Sequence, residues 1–127
     1  MMPRFGSFLP KKTGKAAPEA QVRENIRKML FANGWYVMQT HGNMYQAGFP
    51  DLWATHSKYG ARWIEVKLPN MQGSKFTPAQ KECFPKISAN GSGVWVLTGD
   101  CEHEYNKLFA PPNWYQYLSI WKDAYHG

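Results

Sequence analysis

One stretch, from Gly48 to Lys67, constrains the fold of this chain more than any other. Its second half is Trp63-Ile64-Glu65-Val66-Lys67, in which an acid and a lysine interrupt an otherwise apolar run. Ordinary core strands avoid such charges, because burying a charge is costly unless it is paired. Since strand side chains alternate between faces, Glu65 and Lys67 are expected to project to the same side, about 7 Å apart. The stretch therefore predicts a strand with a charged pair on one face.

The first half of this stretch, Gly48-Phe49-Pro50-Asp51-Leu52, contains another acid, and polar residues near Lys58 separate it from the second half. If the two halves pair as a hairpin that turns near Lys58, Asp51 falls opposite Glu65, and cross-strand neighbours lie about 5 Å apart. We therefore expect two carboxylates and one ammonium group to converge. A slip of the register by one residue would separate the carboxylates.

Length and charge limit the organisation of the chain. A length of 127 residues predicts one domain, over residues 17–127, and it ends in an aromatic C-terminal helix. Residues 1–16 are basic and have no periodicity, so they are predicted to form a flexible arm. Fifteen basic residues against nine acidic ones give a net charge of +6, which favours an anionic partner. Cys83 and Cys101 form no CxxC pair, which fits a reducing, cytoplasmic setting. With no signal peptide and no membrane-spanning run, we expect no membrane partner.

Periodicity and turn residues give the order of the elements. They predict a helix from Pro18 until Gly34, strands over 35–40, 51–55, 61–67 and 94–98, helices over 77–89 and 102–110, and a final amphipathic helix marked by Trp114, Tyr117, Leu118, Trp121 and Tyr125. A helix between two strands pairs them in parallel. The predicted fold class is therefore α/β, with a mixed central β-sheet flanked by helices.

Two further polar residues lie at predicted helix starts. Glu19 precedes Val22 by three residues and Ile26 by seven, so it belongs to the apolar stripe of the first helix. A first-turn acid also complements the helix dipole, and that local explanation is sufficient taken alone. Gln80 closes Thr77-Pro78-Ala79-Gln80, which has the pattern of a capping box. A capping role and a role in a site can both hold.

Carboxylates gathered on one face repel each other and need a positive charge. Mg²⁺ prefers one or two carboxylates together with water and phosphate oxygens, which suits Asp51, Glu65 and Glu19. A lysine beside such a cation can assist the hydrolysis of a phosphodiester. The alternative interpretation is a surface aspartate, an edge-strand glutamate and an unrelated lysine, all solvated or paired with each other.

The motifs taken together resemble a known family. Pro18-Glu19-Ala20, Gly48-Phe49-Pro50-Asp51-Leu52, Ile64-Glu65-Val66-Lys67 and Phe76-Thr77-Pro78-Ala79-Gln80, in this order over about residues 18–98, are similar to the VRR-NUC family of the PD-(D/E)XK nuclease superfamily. The resemblance implies a restriction-endonuclease-like core and metal-dependent cleavage of DNA, often branched DNA such as four-way junctions. Small members commonly act as homodimers in bacteria and phages, which implies the cytoplasm of a bacterium or of a phage-infected host.

The resemblance also implies roles for single residues. Asp51 and Glu65 correspond to metal ligands and Lys67 to the catalytic lysine, while Glu19 helps to hold the metal or its water and Gln80 is the helix-start glutamine of the site. The expected cofactor is Mg²⁺, with Mn²⁺ as a substitute. Candidate DNA contacts are Lys11, Lys12, Lys15, Lys75 and Lys81, together with Thr77, which opens a helix whose N-terminus suits a phosphate.

Two alternative functions stay open at this point. One is a non-catalytic nucleic-acid-binding module with the same fold, for which metal and Lys67 would be dispensable. The other is a small sequence-specific restriction endonuclease, although 127 residues leave little material for a separate base-reading element.

Overall fold

A four-stranded mixed sheet is the centre of the fold in the computed structural model, which describes residues 18–40, 47–69 and 75–117. The strands are β1 (Tyr36–Gln39), β2 (Leu52–His56), β3 (Gly60–Val66) and β4 (Val94–Leu97), and they lie side by side in that order. The pairs β1–β2 and β2–β3 are antiparallel, whereas β3–β4 is parallel. The predicted α/β fold with a mixed sheet is confirmed, and the strand that bears Glu65 is central in the sheet.

Helices cover both faces of this sheet. The helices are α1 (Pro18–Ala32), α2 (Pro78–Ala89) and α3 (Glu102–Asn106), and a 3₁₀ helix (Lys107–Phe109) follows α3. One core cluster joins α1, α3 and the 3₁₀ helix to one face of the sheet through residues such as Leu30, Tyr105, Ile64 and Leu97. The other cluster joins α2 to the opposite face through Phe76, Phe84, Val94 and Val96. Alternate residues of β4 therefore belong to opposite layers, as a buried central strand requires.

The predicted helix over 102–110 is shorter than expected. It is α-helical only to Asn106, continues as the 3₁₀ helix, and ends at Ala110, whose φ of −101° and ψ of 171° are extended. Ala110 precedes Pro111, and a proline disfavours the α conformation of the residue before it. The helix therefore ends before Pro111.

Local signals place the other boundaries well. α1 ends at Ala32, two residues before Gly34, whose φ is +90°. The predicted capping box at the start of α2 is confirmed, because Thr77 Oγ1 accepts from Gln80 N at 3.1 Å and Gln80 Oε1 accepts from Thr77 N at 3.0 Å.

Two of the predicted elements lie wholly or partly outside the described residues. They are the arm over 1–16 and the last part of the aromatic C-terminal helix, with Leu118, Trp121 and Tyr125. Residues 114–117 are helical, and Trp114 and Tyr117 pack against the α2 cluster. In the part of the chain that the structure describes, no helix is both long and apolar enough to cross a membrane.

Candidate active site

The hairpin of β2 and β3 has the register that the turn residues predict. Its partners run from Leu52 opposite Ile64 to His56 opposite Gly60, so the hairpin is centred on Lys58. One step beyond the last pair, the same register aligns Asp51 with Glu65. Asp51 is held there because its carbonyl oxygen accepts from Thr40 N at 2.9 Å and its Oδ2 accepts from Val66 N at 2.9 Å. The predicted hairpin register is therefore confirmed, and it aligns Asp51 with Glu65.

The three charged side chains of this region are buried. Asp51 is 5% exposed, Glu65 1% and Lys67 3%, because β3 is a central strand with helices on both of its faces. The interpretation of these residues as solvated surface groups is therefore wrong. The same interpretation also allowed the groups to pair with each other, and Glu65 and Lys67 do so.

The two oxygens of the Glu65 carboxyl group differ in their surroundings. Oε2 accepts from Lys67 Nζ at 3.0 Å and from Gln80 Nε2 at 2.8 Å. Oε1 is buried and has no hydrogen-bond partner in the described structure. A buried polar atom without a partner costs about 1–3 kcal/mol, so such an atom in a native fold calls for an explanation.

The protonation of Glu65 reflects this environment. Burial raises the pKa of Glu65 to about 8, and the negative charge of Asp51 also raises it, while Lys67 and Gln80 lower it by less. Burial and the neighbouring Asp51 therefore favour the protonated form of Glu65 more than in an exposed glutamate.

Lys67 is held in place from several sides. Besides Glu65, its Nζ donates to the backbone carbonyl of Lys75 and, at 3.4 Å, to Gln80 Oε1. The same nitrogen lies 4.8 Å from the centroid of the Phe76 ring, within the range of a cation–π contact. The segment before α2 therefore fixes the ammonium group beside the two acids.

Gly48 brings the Asp51 segment against α2. Its φ is +89°, and a Cβ built on it would lie 2.5 Å from the backbone carbonyl oxygen of Ala79. Real Cβ atoms do not approach backbone that closely, so only glycine fits here. Because Ala79 directly precedes Gln80, this contact sets the position of Gln80 relative to Asp51. The sequence motif contains Gly48, but nothing local in the sequence indicates its partner.

The other predicted site residues are placed as follows. Lys75 and Thr77 are exposed at the start of α2, and Lys81 is half-buried one turn later. Glu19 is half-buried in the first turn of α1. Lys11, Lys12 and Lys15 lie outside the described residues. Among the residues that are described, no three His, Cys, Asp or Glu side chains form a group that could hold a metal ion, so the structure does not assemble Glu19, Asp51 and Glu65 into a three-ligand set.

Two acids and an unpartnered oxygen nevertheless fit a divalent cation. Mg²⁺ is commonly bound through one or two carboxylates, with water and substrate oxygens as its remaining ligands. Asp51 and Glu65 supply that number, and Glu65 Oε1 is the atom that lacks a partner. A cation there would also offset the repulsion that raises the pKa of Glu65.

Arg23 is a buried charge that the sequence interpretation missed. It is buried in α1, and its Nε has no hydrogen-bond partner in the described part of the chain. The spacing that identifies Glu19 would have found it, since Arg23 precedes Ile26 by three residues and Leu30 by seven.

Comparisons of the chain with family models, with curated proteins and with solved structures find no match. Function is therefore inferred from the chemistry of the site residues.

Proposed function

We propose that this chain is a metal-dependent DNA endonuclease of the VRR-NUC type, with a restriction-endonuclease-like core. The observation that carries the proposal is Glu65 Oε1, a buried oxygen without a partner, in a carboxyl group that neighbours Asp51 and is bonded to Lys67. A buried group of two acids and a lysine suits a divalent cation and a phosphate ester. The order of the motifs along the chain supports the same family.

Asp51 and Glu65 are the proposed metal ligands, with Mg²⁺ as the cofactor and Mn²⁺ as a substitute. When bound, the cation polarises a phosphoryl oxygen and lowers the pKa of a water molecule. Glu19 as a further ligand stays a prediction.

The protein's own groups have distinct parts in the proposed reaction. Lys67 keeps a fixed positive charge beside the acids, where it offsets the negative charge that develops on the phosphate and assists the attacking water. Gln80 donates to Glu65 Oε2 and so fixes the orientation of that carboxyl group. Both groups are held by the segment between Lys75 and Gln80, so the start of α2 acts as the support of the site.

Basic and helix-terminal groups are proposed to hold the DNA backbone. Lys75, Thr77 and Lys81 surround the start of α2, where backbone N–H groups favour a phosphate, and the arm adds Lys11, Lys12 and Lys15. Phosphate contacts carry no base information, so selectivity for DNA shape is expected. A homodimer with two sites related by a twofold axis would suit a four-way junction.

Cleavage of a panel of DNA substrates tests the proposal. The panel contains a four-way junction, a flap, a single strand and a linear duplex, each with Mg²⁺, with Mn²⁺ and with a chelator. We expect metal-dependent symmetrical nicks in the junction, and loss of cleavage by at least about 10³-fold in Asp51→Asn and Glu65→Gln. Glu82→Gln is the matched control, because Glu82 is an exposed acid on α2. Unchanged cleavage by both site variants would overturn the proposal.

A non-catalytic DNA-binding module is the second candidate. The observation that favours it is the direct ion pair between Lys67 and Glu65, which already satisfies part of the buried charge. It predicts salt-sensitive binding of the same panel without cleavage in either metal. Cleavage of the unbranched duplex at one defined sequence would instead indicate a small restriction endonuclease.

A further inference from the structure

Two tryptophans lie beside the acids on the same face of the sheet. Trp53 follows Asp51 by two residues in β2, and Trp63 precedes Glu65 by two residues in β3, so alternation places all four on one face. Trp53 and Trp63 are directly opposite each other, with ring centroids 6.4 Å apart. The tryptophan pair therefore begins about 7 Å along the strands from the pair of acids.

The aromatic surface continues from this pair in both directions. The ring of Tyr36 lies 6.4 Å from that of Trp53, and the ring of Phe49 lies 5.6 Å from that of Trp63. Met38 is opposite Trp53 in the sheet. We call Tyr36, Met38, Phe49, Trp53 and Trp63 the aromatic face.

The aromatic face is open in the described structure. Tyr36 is 61% exposed, Met38 48% and Phe49 39%, and the two tryptophans are half-buried. These three residues are half of the six large hydrophobic side chains that are exposed among the described residues. Exposed apolar side chains concentrated in one patch mark a binding surface.

Charge and size favour nucleotide bases as the occupant. Asp51 and Glu65 are buried, and no other acid lies on this face of β1, β2 or β3, so its exposed part carries no acid that would repel a polyanion. Five side chains, two of them half-buried, form a small surface beside the ~800 Å² per partner of a stable protein interface. The rings lie about 7 Å from the acids, which is about the length of one nucleotide. A base next to a phosphate held at the acids could therefore stack on the rings.

We propose that the aromatic face binds unpaired nucleotides next to the scissile phosphate. Bases in a duplex are stacked inside the helix and do not present their faces, whereas those of single strands, flaps and open junctions do. The preferred substrate would then have an unpaired strand at the point of cleavage. This inference rests on the proposed nuclease function for the position of the phosphate, but binding of the bases does not require metal.

Binding measured without metal tests the inference separately from cleavage. A fluorescent single-stranded oligonucleotide and its duplex are titrated with the full chain in a chelator. We expect Tyr36→Ala to weaken single-strand binding about tenfold and to leave duplex binding within about twofold, and Tyr36→Phe to restore it. Phe31→Ala is the matched control, because Phe31 is 71% exposed on α1. Thermal unfolding verifies that each variant is folded.

The outcomes separate the two proposals. Single-strand binding that is unchanged in Tyr36→Ala, or equally weakened in Phe31→Ala, overturns the inference even if Asp51→Asn abolishes cleavage. A homodimer that Tyr36→Ala converts to a monomer also overturns it, because the face then joins two copies. Single-strand binding that depends on Tyr36 in a protein that never cleaves supports the aromatic face and overturns the nuclease.

Discussion

Two glutamate–lysine pairs in this protein have nearly the same N–O distance and very different environments. Glu65 and Lys67 are 3.0 Å apart, and Glu82 and Lys86 are 3.1 Å apart. The first pair is almost completely buried, whereas both side chains of the second are more than 70% exposed. The distance between the charged atoms alone therefore does not distinguish the two pairs. Burial, a second acid and an oxygen without a partner do.

If the chain is the proposed nuclease, the largest expected difference between the pairs is in catalysis. Lys67→Met should lower metal-dependent cleavage by about 10²-fold or more, because it removes the fixed charge that offsets the developing negative charge. Lys86→Met should leave cleavage within about twofold. Single-turnover assays on the four-way junction measure both. Equal rates in the two variants would show that the buried pair has no special role.

The next largest expected difference between the pairs is in the pH dependence of stability of the metal-free protein. The pKa of Glu65 rises from 4.5 to about 8 on folding. The folded state therefore holds a proton that the unfolded state releases, so the stability contribution is complete below pH 4.5 and is lost as the pH rises toward 8. We expect the free energy of unfolding to fall by on the order of a few kcal/mol across this range.

Denaturant unfolding at several pH values in a chelator measures this effect. Glu65→Gln should flatten the pH dependence, and Glu82→Gln should leave it unchanged. Mg²⁺ should raise the melting temperature more at pH 8 than at pH 5, because a ligating carboxyl group must be ionised. A slope that persists in Glu65→Gln would assign the titration to another group.

A smaller difference in stability is expected from the Gln80 side-chain amide, which contacts the buried pair. Gln80→Ala removes the hydrogen bond to Glu65 and half of the capping box, so we expect a loss of about 1–2 kcal/mol in the free energy of unfolding. Asn90→Ala, at the exposed end of the same helix, is the control and should lose about 0.5 kcal/mol or less. Similar losses in both variants would mean that Gln80 serves only the helix.

The smallest expected effect is the energy of the exposed pair. A double-mutant cycle on Glu82 and Lys86 should give a coupling of about 0.3–0.5 kcal/mol at low salt. It should vanish near 1 M salt, where screening is strong. A coupling energy above about 1 kcal/mol would mean that the exposed pair is not weakened by solvent.

Much of the fold was predictable because its signals are local. The turn near Lys58 and the alternation of β2 and β3 suffice to align Asp51 with Glu65, and the sequence Thr77 to Gln80 suffices to place the start of α2. These signals extend over a few residues and need no information from distant parts of the chain.

The environment of the site was not predictable in the same way. Glu65 is buried because β4, almost thirty residues later, pairs with β3 in parallel, and because α2 covers that face. The unpartnered Glu65 Oε1 and the contact of Gly48 with Ala79 also arise only when these segments meet. Sequence patterns indicated which residues gather, but not how deeply the fold buries them.

The close approach of Gly48 to Ala79 couples the Asp51 segment to the first turn of α2. The two residues belong to segments more than thirty positions apart, and their backbones touch without room for a side chain. Fraying of the first turn of α2 would therefore withdraw Gln80 and release the Asp51 segment in one cooperative event. The free energy of this local opening, rather than that of global unfolding, would determine how long the site stays assembled. On heating, the proposed cleavage activity is then expected to be lost before the sheet melts.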